Sequence, residues 1–212
     1  MELIPLIIVL VKKNRHKLYR FCDKLFVGKI GVISKTPTSY FISCVGDFVK
    51  YFAYGSNMSL LRLQERVPSA QRIGVFLLKA HQLRFHMASE DGSGKCDAYK
   101  TNNEEDVVIG ALFEMNANEK VYLDKAESVG YGYEEKIVKV HNKSGEVFNA
   151  LIYIAMRVDP SLKPYYWYLN HVVTGAIEIN ISAQYLNVIQ STACIDDPDK
   201  NRDTKQRAIY SW

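Results

Sequence analysis

The stretch that decides how this chain reads is Tyr51-Phe52-Ala53-Tyr54-Gly55-Ser56-Asn57-Met58, followed by Ser59 and then Leu60-Leu61-Arg62-Leu63-Gln64-Glu65-Arg66. Tyr51, Phe52 and Tyr54 favour a pleated, half-buried strand. Gly55 interrupts it, either to bring the backbone close to a ligand or to take a positive φ. Ser56, Asn57 and Ser59 carry side-chain oxygens able to cap a helix over the Leu-rich segment. A turn of this kind presents free N–H groups at a helix start, where negative charge is favoured. That makes it a candidate grip for a small anion or a carbonyl oxygen. Standing alone it reads more often as an ordinary capped strand-to-helix junction.

Outward from this turn, residues 72–78 and 82–87 read as strands, the second alternating in polarity. Ser89 to Lys95 has the composition of a turn or loop. Val107 to Glu114 is the strongest buried strand, with Gly110 marking a bulge or barrel bend. Asn118 is placed to cap a helix running to about Glu127, with Val121 or Tyr122 facing inward. Strands over residues 135–141 and 147–155 flank Asn142-Lys143-Ser144-Gly145, which has hairpin-turn chemistry. Residues 165–179 form a helix with an apolar face at Trp167, Val172 and Ala176, and Ser182 starts another through Ile189. The polar tail from Asp196 is expected as an extended strap or as disorder. Strands in the middle with helices at the edges give an α+β fold with a mixed or antiparallel sheet.

Composition narrows the function. The 212 residues, 48% hydrophobic, bury one good core. Residues 1–50 hold nine Lys/Arg against three Asp/Glu, leaving 18 basic and 20 acidic residues for the rest. The body of the protein therefore lacks the basic face that nucleic acid needs. Cys22, Cys44, Cys96 and Cys194 are widely spaced, so neither a zinc site nor a disulfide framework is signalled, and free thiols fit a reducing compartment. Residues 3–11 are apolar but too short to span a bilayer, and the basic run 12–17 follows them where a secretory signal would place it before. Residues 1–48 are thus read as an unassigned extension, 49–195 as the domain and 196–212 as the tail.

A second segment changes the weight of the first. Leu123-Asp124-Lys125-Ala126-Glu127-Ser128-Val129-Gly130-Tyr131-Gly132-Tyr133 begins as a helix and ends in a Gly- and Tyr-rich turn. Taken together, Tyr54-Gly55-Ser56-Asn57 and Leu123-Asp124-Lys125-Ala126-Glu127 resemble the gamma-glutamylcyclotransferase family. Its members open on a Tyr-Gly-Ser-Asn loop after an apolar strand and carry an essential Glu in a Leu-Asp-x-x-Glu-Gly segment roughly seventy residues later. Ser128 departs from that pattern, standing where the family usually has Gly. The resemblance covers roughly residues 49 to 195 and implies a small β-barrel flanked by helices.

For the chemistry, an N–H cradle and one carboxylate near a flexible turn, with no nucleophile motif beside them, suit a reaction whose substrate supplies its own nucleophile. The resemblance names that reaction. The α-amine of a gamma-glutamyl compound attacks its own γ-carbonyl, giving 5-oxoproline and a free amine. It implies Glu127 as general acid/base, with a pKa raised by burial among aromatics such as Tyr131 and Tyr133. It implies substrate contacts from Tyr54, Gly55, Ser56, Asn57, Met58 and Ser59, with backbone N–H groups from Gly55 to Met58 holding a carboxylate or oxyanion, and a wall made by Tyr168 and Tyr133. It further implies a cytoplasmic enzyme needing no cofactor and no metal, with a small-molecule gamma-glutamyl substrate, and often a homodimer. Related cyclases specific for glutathione or gamma-glutamylamines open on Tyr-Gly-Ser-Leu or Tyr-Gly-Thr-Leu loops, which Asn57 does not match. A non-catalytic binding protein on the same fold is the remaining alternative.

Overall fold

The computed structural model describes residues 48–210. The basic apolar segment that opens the chain, with Cys22 and Cys44, lies outside the described residues. In chain order the strands are β1 (Phe48–Ala53), β2 (Gln71–Lys79), β3 (His81–Ala88), β4 (Gly94–Lys100), β5 (Val107–Asn116), β6 (Tyr133–His141) and β7 (Val147–Ala155). The helices are α1 (Leu60–Gln64), α2 (Lys120–Ala126), α3 (Tyr166–Glu178), α4 (Ala183–Gln190) and α5 (Lys200–Arg207).

Five strands close a barrel in the order β1-β5-β2-β6-β7, and β3 pairs with β4 alone. Neighbours in the barrel are antiparallel except β1 and β7, which meet in parallel at Tyr51 and Leu151. The sheet is therefore mixed, and the fold is the expected α+β barrel with helices around it. Phe52, Phe76, Leu112, Phe113, Met115 and Ile152 are buried in the core. Leu112 and Phe113, adjacent on β5, face opposite sides of the sheet, so the core extends from the barrel interior to the layer beneath the helices. Gly110 is not at a bulge: a Cβ there would lie 2.3 Å from the Ala53 carbonyl oxygen and 2.9 Å from the Phe52 ring, so it lets β1 come close. The register shift falls instead in β2, between Arg72 and Gly74.

Several local expectations give way to tertiary context. β4 begins at Gly94, inside the segment read as a loop, because pairing with β3 extends through Ala88 and Gly94 whatever the Gly-Ser composition suggests. Asn118 lies in a 3-10 turn, Ala117–Glu119, that leads into α2, so it is not the cap. Val121 and Tyr122 point outward, at 61% and 59% exposure, and Leu123 alone anchors α2 to the core.

On α3, the side chains of Trp167, Val172 and Ala176 are buried, as their spacing predicts, and Leu169 joins them. Gly175 has a different task. A Cβ there would sit 2.5 Å from the Ser59 nitrogen and 2.6 Å from Met58 Cβ, so α3 crosses directly on the turn after β1.

The polar tail is neither strap nor disorder. Asp199 caps α5 by accepting from the N–H groups of Asn201 and Arg202. Asp197, buried, accepts from Trp167 Nε1 at 2.7 Å and pairs with Arg202 at 2.6 Å. Farther along, Gln206 accepts from the buried Arg62 at 3.1 Å, and Tyr210 meets His171 Nδ1 at 3.1 Å. Burial, with Arg62 nearby, pushes the His171 imidazole down to about 3, so it stays neutral. No helix of the described residues is long and apolar enough to cross a membrane.

Candidate active site

The turn after β1 is held from below. Gly55 has φ −118°, so the positive-φ alternative does not apply. Its missing side chain serves close approach instead: a Cβ would lie 3.0 Å from Cys96 Cβ and 3.5 Å from Tyr168 Oη. Residues Ser56–Met58 form one 3-10 turn, closed by the Met58 N–H donating to the Gly55 carbonyl at 3.0 Å. The N–H groups of Ser56 and Asn57 have no hydrogen-bond partner among the described residues.

Glu127 comes to this turn from the segment that connects β5 to β6. It is the C-cap of α2, where the chain reverses in a Schellman motif. The Val129 N–H bonds the Asp124 carbonyl at 3.0 Å, and the Ser128 N–H bonds that of Lys125 at 3.2 Å. Ser128 occupies the left-handed position of that motif, φ +50°, where glycine is usual. The position where this chain departs from the family pattern is thus the one where backbone geometry favours glycine.

Asn57 links the two segments. Its Nδ2 donates to Glu127 Oε1 at 2.7 Å and to Tyr51 Oη at 3.1 Å, and its Oδ1 accepts from Arg66 Nη1 at 2.6 Å. Arg66 Nη1 stands 4.0 Å from Glu127 Oε1. Burial raises the Glu127 pKa above its ordinary value, while Arg66, the Asn57 bond and Arg62 pull against that shift.

A small cavity, open to solvent, lies over this cluster, lined by Tyr51, Tyr54, Gly55, Ser56, Asn57, Cys96, Glu127, Tyr133, Tyr153 and Tyr168. Its aromatic walls are braced. Tyr133 Oη donates to the Cys96 carbonyl at 2.7 Å, and Tyr168 Oη accepts from the Cys96 N–H at 3.0 Å. Tyr54 Oη donates to the Tyr153 carbonyl at 2.5 Å, and Tyr153 Oη to Asp124 at 2.6 Å. Burial pushes the Cys96 thiol up to about 12, so no thiolate nucleophile is available at neutral pH.

The structure brings together Tyr54, Gly55, Ser56, Asn57, Glu127, Tyr133 and Tyr168. Two predicted contacts fall outside. Met58 is buried beneath α3 with its N–H already bonded to Gly55. Ser59 caps α1 and donates to Glu178 at 2.7 Å. Tyr131, expected to help bury Glu127, is 48% exposed and lies under the Arg157 guanidinium, 4.7 Å from it. Tyr51, Tyr153 and Cys96 take its place at the walls. Sequence reasoning missed these because they arrive through barrel register and the β4 pairing, and it missed Arg66 because an Arg beyond a short helix reads as solvated. Among the described residues no group of three or more His, Cys, Asp or Glu could hold a metal ion, and Cys96 and Cys194 are free.

Residues 107–189 match the sequence model of the AIG2-like family. Among solved structures, one named gamma-glutamyl cyclotransferase superposes with a TM-score of 0.67 at 24% identity, covering 75% of this chain and 99% of its own. An uncharacterised protein from Homo sapiens gives 0.67 at 26% identity, covering 74% and 96%. A gamma-glutamyl cyclotransferase specific to glutathione, from yeast, gives 0.50 at 14% identity, covering 67% and 93%. No curated protein matches the chain significantly.

Proposed function

We propose, from the match of residues 107–189 to the AIG2-like family and the likeness to a solved gamma-glutamyl cyclotransferase, that the chain is a gamma-glutamylcyclotransferase-like enzyme that cyclises gamma-glutamyl amino acids or dipeptides to 5-oxoproline and releases the amino acid. The observation that carries this reading is the Asn57–Glu127 bond at 2.7 Å, which sets one carboxyl group of raised pKa at the floor of a Tyr-walled cavity beside two free backbone N–H groups.

The reaction needs little more than this. The gamma-glutamyl chain folds so that its α-amine meets its γ-carbonyl, a positioning effect that removes about 7–11 kcal/mol of barrier in well-oriented intramolecular cases. Tyr54, Tyr133 and Tyr168 hold it folded and exclude water. Glu127 takes a proton from the α-ammonium, the amine nitrogen bonds to the γ-carbon, and the carbonyl oxygen gains negative charge. The Ser56 and Asn57 N–H groups face that charge, or hold the substrate α-carboxylate. When the bond to the leaving nitrogen breaks, Glu127 returns its proton to that nitrogen. It then takes the second proton from the nitrogen that attacked, which becomes the lactam N–H, and passes it to the released amine, restoring the carboxylate. A raised pKa fits both halves of this traffic, since the group must accept and release near neutral pH. The same reading expects no cofactor and a cytoplasmic setting, where free thiols such as those of Cys96 and Cys194 persist.

Purified protein incubated separately with gamma-glutamyl-alanine, glutathione and a gamma-glutamylamine, with 5-oxoproline followed by mass spectrometry, tests the reading. Product from the dipeptide in excess of the other two is expected. Product from glutathione or the amine alone moves the assignment to those substrates, and none from folded protein leaves a binding role.

A further inference from the structure

The Arg66 guanidinium can only donate hydrogen bonds, so the Asn57 oxygen must face it at 2.6 Å. The Asn57 NH₂ is thereby turned the other way, and both of its protons are used, one on Tyr51 Oη and one on Glu127 Oε1. Asn57 is 4% exposed, so no water is free to take over either role. Glu127 Oε2 accepts no hydrogen bond among the described residues and is not sealed from solvent, which leaves it facing the cavity. With the amide reversed, its oxygen would point at the Glu127 carboxylate, lone pair against lone pair, and Arg66 would face two protons.

We propose that Arg66 is a positioning residue which, through the Asn57 amide, commits one carboxylate oxygen of Glu127 to the protein and leaves the other for the proton transfer. Arg66 itself does not line the cavity. It follows α1, its N–H bonding the Leu63 carbonyl at 3.0 Å, so the helix that the Tyr-Gly-Ser-Asn turn leads into also returns the cation that orients that turn's Asn. The kinetic part of the proposal rests on the cyclase reading; the orientation of Glu127 does not. The groups facing Glu127 are Asn57 and Tyr51 from β1 and its turn, Arg62 and Arg66 from α1 and its end, Cys96 from β4, Tyr133 from β6, Tyr153 from β7 and Tyr168 from α3. Arg62 and Arg66 are the cations in that set, and Arg66 alone of the two bonds Asn57.

The test is a carboxyl titration by carbon NMR on protein labelled at Glu, with the Glu127 signal identified by its absence in Glu127→Gln. Arg66→Gln keeps an amide donor for Asn57 and removes the charge. Its Glu127 signal is expected to titrate at higher pH than in the wild type, by roughly half a unit or more, since one opposing charge has gone. Arg66→Lys keeps charge without the planar fork, and should titrate between the two while the Asn57 side-chain amide signals move. In the cyclase assay, kcat of Arg66→Gln should fall about 10- to 100-fold with KM within about threefold, the acid limb moving up with the NMR titration. A purely structural Arg66 would lower the melting temperature and leave the titration in place. Superimposable titrations in folded Arg66→Gln overturn the proposal; should that variant not fold, unmoved Asn57 amide signals in Arg66→Lys do so. Absence of cyclase activity in the wild type would sink the functional reading and leave the NMR result to decide this one.

Discussion

Asn57 Nδ2 and Glu127 Oε1 are 70 residues apart in sequence and 2.7 Å apart in the fold. The bond joins the two segments that matter most and favours the ionised form of Glu127 against the upward pull of burial. Replacing the amide by an isosteric carboxylate tests it. In Asn57→Asp two like charges would face each other at hydrogen-bonding distance, and they cannot both ionise. The acid limb of kcat/KM should move to higher pH, and kcat near pH 7 should fall about 10²- to 10³-fold, within the range for compromised acid–base catalysis. An unchanged pH profile would remove Asn57 from the account.

Glu127 also links stability to pH. Burial raises its folded pKa above the unfolded value of about 4.3. The folded state then holds this proton more tightly than the unfolded chain, so stability falls as pH rises through the interval from the unfolded to the folded value. Glu127→Gln removes that penalty. Thermal melts should show the variant more stable than the wild type at pH 7, with the difference disappearing below about pH 4. A variant less stable at pH 7 would mean that the ionised carboxylate is well solvated or well paired.

Ser128 costs stability at φ +50°. A left-handed non-glycine residue is unfavourable by about 1–2 kcal/mol, partly offset by the greater unfolded-state freedom of glycine. Ser128→Gly should therefore gain roughly 0.5–1 kcal/mol in denaturant unfolding and leave kcat unchanged, because the Schellman bonds around Glu127 are made by backbone atoms.

Gly175 is the support under the turn. In Gly175→Ala the new methyl would meet the Ser59 nitrogen at 2.5 Å and Met58 at 2.6 Å, so α3 or the turn must shift. Overpacking of this kind costs about 1–3 kcal/mol. The displaced turn should raise KM for the gamma-glutamyl substrate as well. Wild-type KM in a destabilised variant would show that the turn does not bind substrate.

Much of this architecture can be read along the chain where the signal is local. Tyr54 to Asn57 declares a turn by composition, Val107 to Glu114 a buried strand by apolar run, and Trp167, Val172 and Ala176 a helix face by spacing. What escapes is information held between segments. Gly94 and Lys95 look like loop and pair as strand because β3 is there to receive them. The tail is among the most polar parts of the chain, and it orders because Asp197 finds Trp167 on α3. Arg66 carries no local mark distinguishing it from Arg62 or from any solvated cation near a helix end; only the fold places Asn57 against it and Glu127 beyond.

The most direct measurement of the central claim is 5-oxoproline formation from gamma-glutamyl-alanine by wild type and Glu127→Gln side by side, with substrate affinity determined for each by calorimetry. The account predicts steady product from the wild type, a loss of about 10³-fold or more in the variant, and affinities within a few-fold of each other. Equal turnover by the two proteins would contradict it.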